Sequence, residues 1–287
     1  MSLEEVILSI LSLGLGDPYE FLAEALSPPS EAAIQNALRF LDSLDAVFLE
    51  NRDEVGPKGG AKLVSHITPL GYHLAALPLN PRTGKLLLTS CLMGCINPML
   101  TIAAATSVKN IFISPFEKRE EADESKLNFM LGESDLLTLL NAYSAYRDAS
   151  GDSRKQFNSK VDAFCRRNFL SYFNLQLVDQ MRAQFLDLLK GIGFLPSNVN
   201  LHSVASCTEN RNGDDLQIIK CVLCSGLAPN ILRVPCQEPE KIVIKFGDGK
   251  KTIPLKDLGL SSRKTKFYVH PSSVMSMRTE ARSRWIM

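Results

Sequence analysis

The pair Cys221 and Cys224, three residues apart, could ligate zinc or cycle between thiol and disulfide. Zinc needs a second ligand pair at sensible spacing. The histidines at 66, 73, 202 and 270 stand alone in the sequence, and Cys207 and Cys236 form no partner motif. Redox use needs a preceding strand–helix–strand pattern, which the sequence lacks. Positions three apart share a helix face, so two small buried thiols are the expected explanation, and Cys91 with Cys95 reads the same way. Lysine beside glycine occurs at Gly56-Pro-Lys-Gly-Gly-Ala-Lys62 and at Gly84-Lys85. A phosphate loop requires a hydroxyl after the lysine, between a strand and a helix, whereas Leu63 and Leu86 follow here. No acidic pair follows an apolar strand to hold magnesium. The sequence therefore predicts no autonomous nucleotide hydrolysis and no catalytic residue.

Cations offer a second kind of chemistry. Lys118-Arg119 precede Glu120, Glu121, Asp123 and Glu124, and Arg166-Arg167 stand side by side. Both pairs could touch phosphate, although capping and solvation explain such pairs more often. Arg263 to Ser273 interleaves cations, aromatics and hydroxyls, the types that contact phosphates and stack on bases. RNA contact and a plain basic strand fit that stretch equally.

The elements that must carry these residues are mostly helical. Ser2 with Glu5 forms a capping box, and Gly14 is a plausible stop. Asp17-Pro18 and Asn97-Pro98 each place a cap before a proline that loses no needed N–H. Ile34, Leu38, Leu41, Leu44 and Phe48 fall at helical spacing. Asn51 to Ala61 reads as a polar loop, and Lys62 to Ile67 as a short strand. Small helices followed by a loop and strand suggest a winged-helix-like unit. Further helices are expected from Ser114-Pro115, from Ser134, over Lys160–Phe173, along the stripe Leu175 to Leu189, and over Asp215–Gly226. Beyond Arg233 the pattern turns to period two. Lys241–Phe246 and Lys251–Leu255 read as a hairpin about Gly247-Asp-Gly, and Lys266–His270 as a third strand.

Composition bounds the class. The 287 residues are 45% hydrophobic and 22% charged, which suits about two globular domains. No apolar run approaches the ~18–20 residues of a membrane span. Glu4 and Glu5 stand where a signal peptide needs positive charge. Seven scattered cysteines suit free thiols in a reducing compartment. The net charge of +1 divides unevenly. Residues 241–287 hold eleven Lys and Arg against three Asp and Glu, a net of +8, leaving −7 elsewhere. A basic end on an acidic body fits a polyanion contact and fits a solvated face.

The order of these motifs resembles that in DEAH-box/RHA RNA helicases. Thr68 to Leu88 (TPLGYHLAALPLNPRTGKLLL) resembles the junction between their winged-helix and ratchet domains. Gly94 to Ala105, Ser114 to Lys126, Asn141-Ala-Tyr143 and Phe164 to Leu170 resemble the ratchet in order. Val222 to Asn230 leads into what resembles the family's OB-fold, with Val269 to Val274 like its signature strand. The resemblance implies a mainly α, multi-domain chain. Residues 1–79 would be a winged-helix-like domain lacking its N-terminal part. Residues 80–232 would be the helical ratchet (helicase-associated) domain, and 233–287 a truncated OB-fold-like β-barrel. The RecA-like motor domains, which bind ATP and Mg, would lie N-terminal to Met1, so this chain would carry no cofactor.

By that resemblance the chain is the C-terminal auxiliary module of an ATP-dependent RNA helicase, gripping single-stranded RNA against the motor domains. RNA-binding residues are expected at Lys118, Arg119, Arg166, Arg167, His270, Ser272 and Ser273. Partners would be single-stranded RNA, the RecA-like core and, in some members, a glycine-rich-motif activator. No membrane is expected, and residence would be intracellular, cytoplasmic or nuclear. The rival reading is a stand-alone adaptor that binds a protein through the helical block.

Overall fold

The structure is a computed structural model. It describes residues 2–53, 61–131, 134–151 and 159–228, and the short strands 231–233, 243–245, 252–254, 274–277 and 284–286. The described chain is mainly helical. It opens with α1 (Leu3–Ser12), α2 (Pro18–Ala23) and α3 (Glu31–Ser43), then the antiparallel hairpin β1 (Val47–Asp53) and β2 (Ala61–Ile67). Next come α4 (Pro69–Ala75), α5 (Pro81–Met93) and α6 (Ile96–Ser107). A 3-10 turn (Phe116–Lys118) runs straight into α7 (Arg119–Leu127). The helices α8 (Asp135–Ser150), α9 (Ser159–Arg167), α10 (Tyr172–Gly191) and α11 (Leu216–Leu227) follow. The end holds β3 (Ile231–Arg233), β4 (Val243–Lys245), β5 (Thr252–Pro254), β6 (Val274–Met277) and β7 (Arg284–Ile286). They form an antiparallel sheet of order β5-β4-β3-β6-β7.

Local chemistry sets most helix starts. The side chains of Ser2, Asp17, Ser30, Thr68, Asn80, Ser134, Ser171 and Asp215 each accept a backbone N–H of the first turn. A short polar side chain does this because those N–H groups have no partner inside the helix. The α5 stop is as local: Gly94 adopts φ 70° and its N–H closes on Cys91 O.

Four expectations fail. Phe48 does not extend the α3 stripe. The helix ends at Ser43, Asp45 turns to φ 59°, and Phe48 sits on β1 with 60% of its surface exposed. Asn51 to Asp53, expected in a loop, belong to β1. The single helix expected over Lys160–Phe173 is two. Phe169 at φ 52° breaks it, and α10 begins after Ser171 as a fresh cap. At α6 the N-cap is Cys95, without a side-chain hydrogen bond, and Asn97 lies inside the first turn. The expected β hairpin is β4–β5, with Val243 opposite Pro254. The turn at 247–249 and the expected strand 266–270 lie outside the described residues.

Buried side chains form one continuous cluster from α1 to α11, including Ile7, Leu41, Leu74, Leu87, Leu100, Val178, Phe185 and Val222. Close approach on α4, α5 and α11 depends on glycine. A Cβ on Gly71 would stand 2.0 Å from Ala46 O, one on Gly84 2.7 Å from Leu74 Cδ2, and one on Gly226 2.6 Å from Leu86 Cδ1. Among the described residues no helix is long and apolar enough to cross a membrane.

Candidate nucleic-acid interface

A short backbone pairing joins two segments that each flank a cationic dipeptide. Ile113 N–H donates to Phe169 O (2.8 Å) and Ser171 N–H to Ile111 O (2.7 Å), making an antiparallel bridge of Phe112 with Leu170. Asn174 Nδ2 adds a bond to Asn110 O (2.7 Å). Lys118-Arg119 stand five and six residues after Ile113, and Arg167-Arg166 two and three residues before Phe169. This bridge needs the break at Phe169. A bulky residue in the left-handed region is uncommon and costs of the order of 1–3 kcal/mol. Its N–H still reaches Arg166 O (3.3 Å).

The four cations are not equivalent. Lys118 pairs with Glu121 (3.3 Å), both well exposed. Arg166 pairs with Asp162 one helical turn back (2.7 Å). Arg119 and Arg167 are exposed and make no ion pair with a described residue. Exposed pairs of this kind contribute little, ~0–1 kcal/mol, so a phosphate can displace them. Around them stand Ile113, 46% exposed, and Phe116, 97% exposed. Lys126, on the same helix α7, is committed: it bonds Asp135 (3.1 Å) and lies 5.4 Å from the Phe112 ring centroid. His270, Ser272 and Ser273 lie outside the described residues.

Sequence patterns gave no warning of a polar network between α6, α8 and α10. Arg182, 6% exposed, donates to Asn97 O (3.2 Å), Asn97 Oδ1 (2.8 Å) and Thr101 Oγ1, and lies 5.1 Å from the Tyr143 ring centroid. One turn back, Asp179 accepts from Tyr143 Oη (2.5 Å), Tyr146 Oη (3.3 Å) and Arg147 (3.5 Å). Asn97 reads as a cap beside Pro98 and instead takes an arginine from 85 residues away. Asn97, Thr101, Tyr143, Arg147, Asp179 and Arg182 line a cleft of about 480 Å³, rimmed by His202, Asp148 and Asp214. Burial pushes both tyrosine hydroxyls up; Asp179 adds to this, while Arg182 and Arg147 partly oppose it at Tyr143. They stay protonated donors to Asp179, so neither tyrosine supplies a phenolate.

The thiols are also quiet. Burial pushes Cys91 up to about 12, with Glu209, Cys207 and Cys95 adding to it, and raises Cys95 and Cys165 to about 11. Such groups hold almost no thiolate at neutral pH. Cys221 is exposed and Cys224 half-buried, so the expectation of two buried thiols fails for Cys221, which α11 turns to solvent. Among the described residues no cluster of three or more His, Cys, Asp or Glu could hold a metal.

Comparison with known proteins points to one family. Residues 80–171 match the family described as helicase-associated domain (HA2), ratchet-like. The chain is 38% identical over 276 residues to the DExH-box ATP-dependent RNA helicase DExH1 of Arabidopsis thaliana, covering 95% of this chain and 23% of that protein. It is 32% identical over 278 residues to the ATP-dependent RNA helicase DHX29 of Mus musculus, covering 95% of this chain and 18% of that protein. It is 34% identical over 288 residues to the ATP-dependent DNA/RNA helicase DHX36 of Homo sapiens, covering 99% of this chain and 25% of that protein. The chain thus spans a quarter or less of the length of these curated relatives.

Proposed function

This chain belongs to the DExH/DEAH-box RNA helicases, as a segment carrying their helicase-associated ratchet-like domain, and on that premise we propose that it grips single-stranded RNA for a RecA-like motor. The observation that carries the reading is identity of 32–38% along nearly the whole chain to three such helicases. In this reading residues 1–79 act as a winged-helix unit, 80–232 as the ratchet and 233–287 as an OB-like module. ATP and Mg are handled by the motor, and this segment has no hydrolytic activity of its own. Lys118, Arg119, Arg166 and Arg167 meet RNA phosphates where the 111–113 and 169–171 segments pair, and His270, Ser272 and Ser273 contribute from the basic end. Besides RNA, the partners are the RecA-like core and an activator bearing a glycine-rich motif, in an intracellular setting.

The test is filter binding of labelled single-stranded RNA to the purified chain across a salt series. Neutralising a few phosphates releases counterions, so log affinity should fall linearly with log salt, at a slope of about −0.7 per phosphate contacted. Charge-neutral variants at Arg119 and Arg167 should each flatten that slope by about one contact. Affinity indifferent to salt, or a preference for duplex DNA, would sink the reading. A protein adaptor is the second reading. It draws on Phe116, fully exposed ahead of the acid-rich α7, a face suited to a basic protein surface.

A further inference from the structure

The cleft between α6, α8 and α10 has walls that RNA gripping leaves unused. One face of α8 supplies Leu140, Tyr143, Ser144, Arg147 and Asp148, at helical spacing. The floor is saturated. Arg182 is held by Asn97 and Thr101, and Asp179 accepts from Tyr143, Tyr146 and Arg147. The rim is not saturated. Asp148 and Asp214 are both exposed, and neither makes a hydrogen bond or ion pair with a described residue. Three carboxylates face two guanidinium groups across the cleft, so it favours added positive charge. Leu140 and Leu201, both half-buried, add apolar wall. The volume of about 480 Å³ falls within the roughly 300–1,000 Å³ of small-ligand sites.

Asp214 is presented by a fixed turn. Asn212 N–H donates to Gly94 O (2.6 Å) and Asn212 Nδ2 to Met93 O (2.7 Å), while Asn210 Oδ1 accepts Asn97 N–H (2.9 Å). The oxygens of the same Asn97 hold Arg182, so one network fixes both the floor and this wall. The turn is closed tightly: a Cβ on Gly213 would stand 2.3 Å from Asn210 Nδ2. A ligand therefore orders little of the protein when it binds. It needs an apolar stem for the leucines and a cation at its tip for the rim. A guanidinium is planar, with five donors in a rigid fork, and can serve carboxylates from two elements at once; an ammonium is a point charge. We propose that this cleft is a docking site for an arginine side chain of a partner peptide, its stem laid on Leu140 and Leu201 and its guanidinium taken by Asp148 and Asp214. The same two carboxylates repel phosphate, so the site is separate from any grip on RNA.

The test is an NMR titration of the whole isotope-labelled chain with the peptide acetyl-Gly-Arg-Gly-amide at low salt. Amide signals of Ser144, Asp148, Gly213 and Asp214 should move together and saturate. The peptide carrying citrulline, which keeps the shape of arginine without its charge, should bind at least tenfold more weakly, and the lysine peptide at least threefold more weakly. Asp148→Asn and Asp214→Asn, both at exposed positions, should each weaken the arginine peptide about fivefold or more while leaving the rest of the spectrum in place. Equal binding of the citrulline peptide overturns the charge recognition, and equal binding of the lysine peptide overturns the guanidinium assignment. Shifts absent from the cleft, or spread evenly over the exposed acids of α7, overturn the site. Single-stranded RNA is titrated separately and should leave the four cleft amides unmoved; RNA that moves them makes nucleic acid the occupant and overturns the proposal. Failure of RNA to bind anywhere would remove the function proposed above and leave the peptide titration to decide this site.

Discussion

At the residue scale, the telling side chain is Arg182. An arginine this buried is held by hydrogen bonds, and removing it leaves acceptors dry. Asn97 Oδ1 and Thr101 Oγ1 would each lose a charged donor, at about 1.5–3 kcal/mol per hydrogen bond to a charged group. Arg182→Met should therefore lower the urea midpoint with the slope unchanged, by several times the effect of Arg119→Gln at the exposed face. Equal shifts for the two variants would show that the network adds nothing. The sequence marks Arg182 only as one cation on a long amphipathic helix. Its partners lie 81 and 85 residues away, and no local pattern encodes that distance.

At the element scale, the packing of α4 and α10 separates two glycines of the same type. Gly71 lies in α4 where a methyl would meet Ala46 O at 2.0 Å, and Thr68 beside it ties the same corner through Asp45 O and Ala46 O. Backbone cannot rotate away as a side chain can, so Gly71→Ala should destabilise by about 1–3 kcal/mol or more. Gly191 ends α10 with nothing within 4 Å of its added Cβ, so Gly191→Ala should be neutral or stabilise by up to ~1 kcal/mol. Thermal melts of the pair check this; a mild Gly71 variant would mean that α4 stands off β1 in solution. The caps at Ser2, Asp17, Ser134 and Asp215 were legible because capping is a contact over two or three residues. The α9–α10 break was not. Phe164, Cys165 and Leu170 continue a helical rhythm, and the pairing of 111–113 with 169–171 decides that the chain must turn there.

At the scale of the molecule, one lysine ties the N-terminal helices to the bundle. Lys85 of α5 has a side chain 10% exposed and reaches back 41 residues to Leu44 O (3.0 Å) and to Asp45 Oδ2 (2.9 Å). It holds the left-handed corner between α3 and β1 against α5, so that the two move together. Lys85→Met should keep the fold yet speed amide exchange at residues 44–47, with little change in α8 and α10. Unchanged exchange at the corner would exclude the clamp. The sequence by itself determined the helical class, most helix starts, the β character beyond residue 233 and, through motif order, the helicase kinship. These rest on local hydrogen bonding and on periodicities of 3.6 and 2, which are properties of neighbouring residues. Only the tertiary structure decided that Gly84-Lys85 is a packed clamp, that Asn97 serves Arg182, and that residues 111–113 pair with 169–171. Each of those is a contact between chain segments tens of residues apart, fixed by how the helices pack.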